Sequence, residues 1–149
     1  MGKHERIATQ VAGLDPCSGF HPCYLEYFRL FNAREYYAAH DVLEHIWLGS
    51  SGQTYIFYKG LIQFAGGFVH LSHHHREPEH HVHGRRLRPA ARLFLRSAEL
   101  LEALPPRHEG IEVHRVRLIA LAWAEQLDVS GYRTNPWSPE SAPRLDGPS

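Results

Sequence analysis

His40 and Glu44 stand four residues apart, the spacing that places two side chains one turn apart on one face of an α-helix. An imidazole nitrogen and a carboxylate oxygen so placed can share one divalent ion such as Zn, Ni or Mn. Asp41 adds an acceptor for an imidazole N–H. Trp47, three beyond Glu44, would shield that face from water. With a metal at His40 and Glu44, Asp41 or Glu44 would orient a water or take its proton, which is hydrolytic chemistry. The same residues equally make a polar network at a helix seam, bonded to each other and to Lys59 or Gln63. Two ligands on one helix do not complete a metal site, so others would have to come from elsewhere.

Histidine supplies a second candidate. Of 13 histidines, seven (His70, His73, His74, His75, His80, His81 and His83) lie between residues 70 and 83. His70 and His74 have helical spacing, and His81 with His83 is a short chelating pair. Such tracts bind divalent metals by composition; the plainer reading is a solvated loop, and a third is pH sensing by imidazoles. Arg85, Arg86, Arg88, Arg92 and Arg96 fall in a stretch without an acid. Three of them, Arg88, Arg92 and Arg96, share a helix face and could meet phosphate, or form a solvated face paired with Glu99 and Glu102. Cys17, His21 and Cys23 match no zinc spacing and read as free thiols beside a histidine.

The elements that must position these residues are helices. Pro22 suits a first helical position, with Leu25, Phe28 and Phe31 at spacings of three. Asn32 with Glu35 reads as a cap for a second helix over about 33–48, closed by Gly49. Ser50 with Gln53 reads as the cap of a third, about 53–74, apolar almost all round and therefore central. Its Gly60, Gly66 and Gly67 each cost about 1 kcal/mol against alanine inside a helix but let another helix approach. A fourth helix runs from Pro89 until Pro105-Pro106 stops it. A fifth covers about 111–127. The tail from Gly131 holds four of the ten prolines and reads as extended or disordered, with Trp137 available to pin it.

If the second and third helices are antiparallel neighbours joined near residue 50, residue 40 faces about residue 60. His70 is then about 15 Å too far along at 1.5 Å per residue, so it belongs near Asn32 and Glu35. Lys59 and Gln63 are the expected neighbours of the His40 motif, and a lysine there would repel a metal cation.

The stretches LFNAREYYAAHDVLEHIWL, FYKGLIQFAGGFVHL and RLRPAARLFLRSAELLEALPP resemble domain of unknown function 309, a small all-helical family some of whose members are labelled predicted metal-dependent hydrolases. The resemblance covers about residues 24–127 and implies a compact helical bundle. Ala38 stands where many members carry glutamate, which removes one metal ligand the resemblance would imply. The Arg86-Leu87-Arg88-Pro89 turn and its histidines also depart from the family pattern.

Composition frames the rest. The chain has 149 residues, 43% apolar and 21% charged, with 16 basic and 16 acidic residues. That is the profile of one globular domain, and its neutrality argues against a nucleic-acid binder. No apolar leader precedes residue 20, and the longest apolar run is interrupted by Lys59, Gln63 and His70, so neither a signal peptide nor a membrane span is expected. A cytoplasmic protein follows, whether single or a homo-oligomer. The expected fold is all-α: a compact bundle of four to five helices over 20–128, a His-rich loop at 72–88, an extension at 1–19 and an extended Pro-rich tail at 129–149. Three functions compete: a metal-dependent hydrolase with Asp41 and Glu44 catalytic, a non-enzymatic interaction module whose polar motif is structural and whose partner meets the glycine-bearing helix or the arginine face, and metal binding by the histidine loop.

Overall fold

The computed structural model describes residues 2–12 and 19–149. Six helices follow in order: α1 (Lys3–Val11), α2 (Pro22–Asn32), α3 (Tyr36–Trp47), α4 (Gly52–Arg76), α5 (Leu87–Glu102) and α6 (Val113–Val129). Arg107–His108 and Ile111–Glu112 pair as a minimal antiparallel hairpin before α6. Glu109 and Gly110 both have positive φ, 47° and 76°, the signature of a type I′ turn. Tyr24 Oη donates to the Glu109 carbonyl at 2.8 Å and ties this turn to α2. Among the described residues no helix is long and apolar enough to cross a membrane.

The helix starts follow local chemistry, with two departures. Pro22 opens α2, and the Cys23 N–H donates to His21 Nδ1 at 3.0 Å, so His21 is the cap. Asn32, expected to cap the next helix, ends α2 instead. Arg34 lies in the left-handed region at φ 63°. The Glu35 N–H donates to the Leu30 carbonyl and the Arg34 N–H to the Phe31 carbonyl, each at 2.9 Å. That pattern is a Schellman closure, with arginine where glycine is usual. The Asn32 amide is thereby free to accept from the Leu145 N–H at 2.8 Å and donate to the Leu145 carbonyl at 2.9 Å. Ser50, expected to cap α4, turns back and donates to the Trp47 carbonyl, closing α3.

α4 is the centre of the bundle, packed on α3 and α5, with α6 beyond α5 and α2 against α3. Phe57, Leu61, Phe64, Ala65, Phe68 and Leu71 are completely buried along it. Each such phenylalanine or leucine contributes about 1.5–3 kcal/mol of burial. The α4 glycines serve the α5 contact. A Cβ on Gly60 would stand 2.7 Å from Leu101 Cδ2, and one on Gly67 would meet the Phe94 ring. The close approach also satisfies buried Ser97, whose Oγ donates to the Gly60 carbonyl at 2.8 Å. Gly60 and Gly67 are therefore spent on the α4–α5 contact inside the molecule.

Both chain ends pack on this core. The sequence predicts no helix before Pro22, yet α1 buries Ile7 and Val11, one turn apart. Gln10 donates to buried Glu26 of α2 at 3.1 Å. After α6 the chain has no regular helix or strand. Trp137 is buried and its Nε1 donates to Tyr36 Oη at 3.0 Å, while Asn135 donates to the Leu71 carbonyl. α4 continues to Arg76, so His73, His74 and His75 are helical rather than in a loop. α5 starts two residues before Pro89. Pro89 thus falls in the first turn, where a missing N–H breaks no helical bond.

Candidate functional site

α3 carries His40, Asp41 and Glu44 on its partly exposed side. His40 Nδ1 lies 3.2 Å from Asp41 Oδ1, and Nε2 lies 3.7 Å from Glu44 Oε2. Both nitrogens of the ring thus face carboxylates. The fourth member comes from α1: Lys3 Nζ donates to Glu44 Oε1 at 2.8 Å and lies 3.6 Å from Asp41 Oδ1. The bond to Glu44 raises the Lys3 pKa. The bond from Lys3, reinforced by His40 and His4, lowers that of Glu44. The Tyr37 ring stacks on His40, with centroids 6.1 Å apart.

Of the expected neighbours, Trp47 and Lys59 meet each other on the α4 side. Trp47 packs on Tyr55 of α4 with centroids 5.1 Å apart, and Lys59 Nζ stands 6.0 Å over the Trp47 ring. The lysine that meets the motif is Lys3. His70 faces Arg86, whose Nη1 donates to His70 Nδ1 at 3.1 Å. Burial, with help from Arg86 and His73, pushes the His70 pKa down to about 4.

Among the described residues, the histidines of the tract go to several different partners. The His74 ring meets the Asn135 amide at 3.2 Å, His73 bonds Arg76, His75 stands edge-on to Trp137, and His80 stacks on His81. The His83 side chain and Cys17 lie outside the described part of the structure. Among the described residues, no group of three or more His, Cys, Asp or Glu is placed to hold a metal ion. On α5, Arg96 pairs with Glu99 at 3.2 Å and Arg88 lies over the Tyr132 ring at 4.2 Å. Glu102 pairs with Arg117 of α6 rather than with the α5 arginines. Cys23 is a buried thiol, pushed up to about 11 by burial and by Glu26, so it stays protonated and unreactive.

Residues 24–82 match the family model of a domain of unknown function, DUF309. The sequence resemblance holds over that segment. It takes in α2, α3 and α4, and with them His40, Asp41, Glu44 and the α4 glycines. Lys3 and all of α1 lie outside the DUF309 segment, so the ammonium on the motif is an addition from beyond the matched region. No curated protein and no solved structure matches the chain.

Lys3, His4 and His45 escape the sequence analysis. α1 has a legible signal in the Ile7–Val11 spacing. Nothing in the sequence says which face of the bundle that helix covers.

Proposed function

We propose that the protein is a non-enzymatic helical interaction module in which His40, Asp41 and Glu44 clasp α1. The observation that supports this is the Lys3 ammonium, 2.8 Å from Glu44 and 3.6 Å from Asp41. It balances the carboxylates that a divalent ion would need, and like charge disfavours a second cation beside it. The exposed side of α5, with Arg88, Arg92 and Arg96 around half-exposed Leu95, is the surface offered to an acidic partner.

Metal-dependent hydrolysis is the competing reading. The His40–Glu44 approach of 3.7 Å on one accessible helix face favours it, and it requires Lys3 to leave both carboxylates. Elemental mass spectrometry on untagged protein, beside His40→Ala, Glu44→Ala and Lys3→Ala, separates the two. Under the clasp reading, His40→Ala leaves metal content unchanged, and Glu44→Ala lowers the melting temperature equally with and without chelator. An ion lost in His40→Ala and Glu44→Ala but gained in Lys3→Ala overturns the clasp.

A further inference from the structure

His4 on α1 and His45 on α3 point their Nδ1 atoms at each other, 2.6 Å apart, with ring centroids at 4.8 Å. An ordinary nitrogen hydrogen bond spans about 2.7–3.2 Å, so this approach is closer than one shared proton normally gives. Two imidazole nitrogens brought together from different helices become, in the tautomer that carries the proton on Nε2, a pair of donors that one transition-metal ion accepts. His4 is exposed and His45 half-buried, so an ion and its waters can reach the pair. Glu44, next to His45, feels the charge of His4, but its Oε1 is held by Lys3 and it is not a third ligand. His21, held low by burial and by His45, borders the pair from the start of α2, with its Nδ1 already occupied by the Cys23 N–H.

We infer that His4 and His45 form a two-histidine site for a divalent transition ion such as Zn or Ni, which staples α1 to α3. Each Nδ1 would bond the ion at about 2.0–2.1 Å, after a small outward rotation of both surface rings. Binding takes both rings neutral with the ring proton on Nε2, so that each Nδ1 lone pair faces the ion. Water fills the remaining positions, so this is a site of moderate affinity that couples metal to the docking of the N-terminal helix. It is distinct from the His40–Glu44 face, whose ring nitrogens face the two carboxylates, and the Lys3 charge next to His4 is offset by its pairing with Glu44 and Asp41.

The test is titration of untagged full-length protein with zinc chloride alone, by calorimetry, comparing wild type with His4→Gln, His45→Gln and His40→Gln. Circular dichroism first checks that each variant keeps its helix content, as surface positions allow. The expected result is loss of the tightest zinc equivalent in His4→Gln and in His45→Gln, with that equivalent retained in His40→Gln. Zinc also slows amide exchange in α1 of the wild type and not of His45→Gln. Absence of zinc binding overturns the inference. So do identical isotherms in all four proteins, which would mean adventitious binding by the histidine tract only. Loss of the equivalent in His40→Gln as well would place the ion on the α3 motif and overturn it too.

Discussion

Lys3 and Glu44, 41 residues apart, are joined by a 2.8 Å ion pair that lays the first turn of α1 on α3. Directly beside it, His4 meets His45. At the far end of the helix, Ile7, Val11 and the Gln10–Glu26 bond complete the attachment. α1 is therefore a strap held by charge at one end and by burial at the other.

Lys3→Ala removes the charged end only. Both partners are about one-third exposed, so the loss is at the scale of a surface pair, about 0.2–1 kcal/mol. Global stability in urea is expected to shift by no more than that, while amide exchange in α1 accelerates. Unchanged exchange in α1 would show that Ile7 and Val11 hold it alone.

Gly67→Ala tests the α4–α5 contact. In an exposed helix this change is favourable by about 1 kcal/mol. Here the added methyl meets three ring carbons of Phe94, and overpacking costs about 1–3 kcal/mol. A lower denaturation midpoint is expected, and a stabilised variant would contradict the packing.

Asn32→Ala releases the tail. It deletes both hydrogen bonds to Leu145 and leaves a backbone pair unsatisfied, a loss of about 1–3 kcal/mol. Limited proteolysis is expected to cut within 131–149 faster than in the wild type. The Trp137 fluorescence remains native if its bond to Tyr36 still holds that region.

The pH dependence has a definite sign. His70 is neutral in the folded state, with its pKa pushed from the ordinary 6.5 to about 4. Between those values the unfolded chain binds the proton and the folded chain does not, so stability falls as pH drops from 6.5 towards 4. His74 and His21 are lowered too and act in the same direction. His70→Gln keeps an acceptor for Arg86 and cannot charge. Its urea midpoint should therefore lose less than the wild type's between pH 7 and pH 4.5.

The helical path of the chain was legible from the sequence because it is written locally. Apolar spacing marks α2 to α6, Pro22 marks a start, and Pro105-Pro106 a stop. A rise of 1.5 Å per residue put His70 beyond the level of His40, but its partner Arg86 was not legible. Caps were less legible: Asn32 and Ser50 are chemically competent to cap the following helix, but the closure at Arg34 and the place of the tail turned Asn32 to Leu145, and Ser50 turned back to the Trp47 carbonyl. The composition of the candidate site lay beyond the sequence altogether. His40, Asp41 and Glu44 share a helix and so share a face, but a single Lys3 or His4 carries no periodic signal that names its partner. Those pairings exist because burial of Ile7 and Val11 sets α1 across α3, a relation between distant segments that arises only when the helices pack.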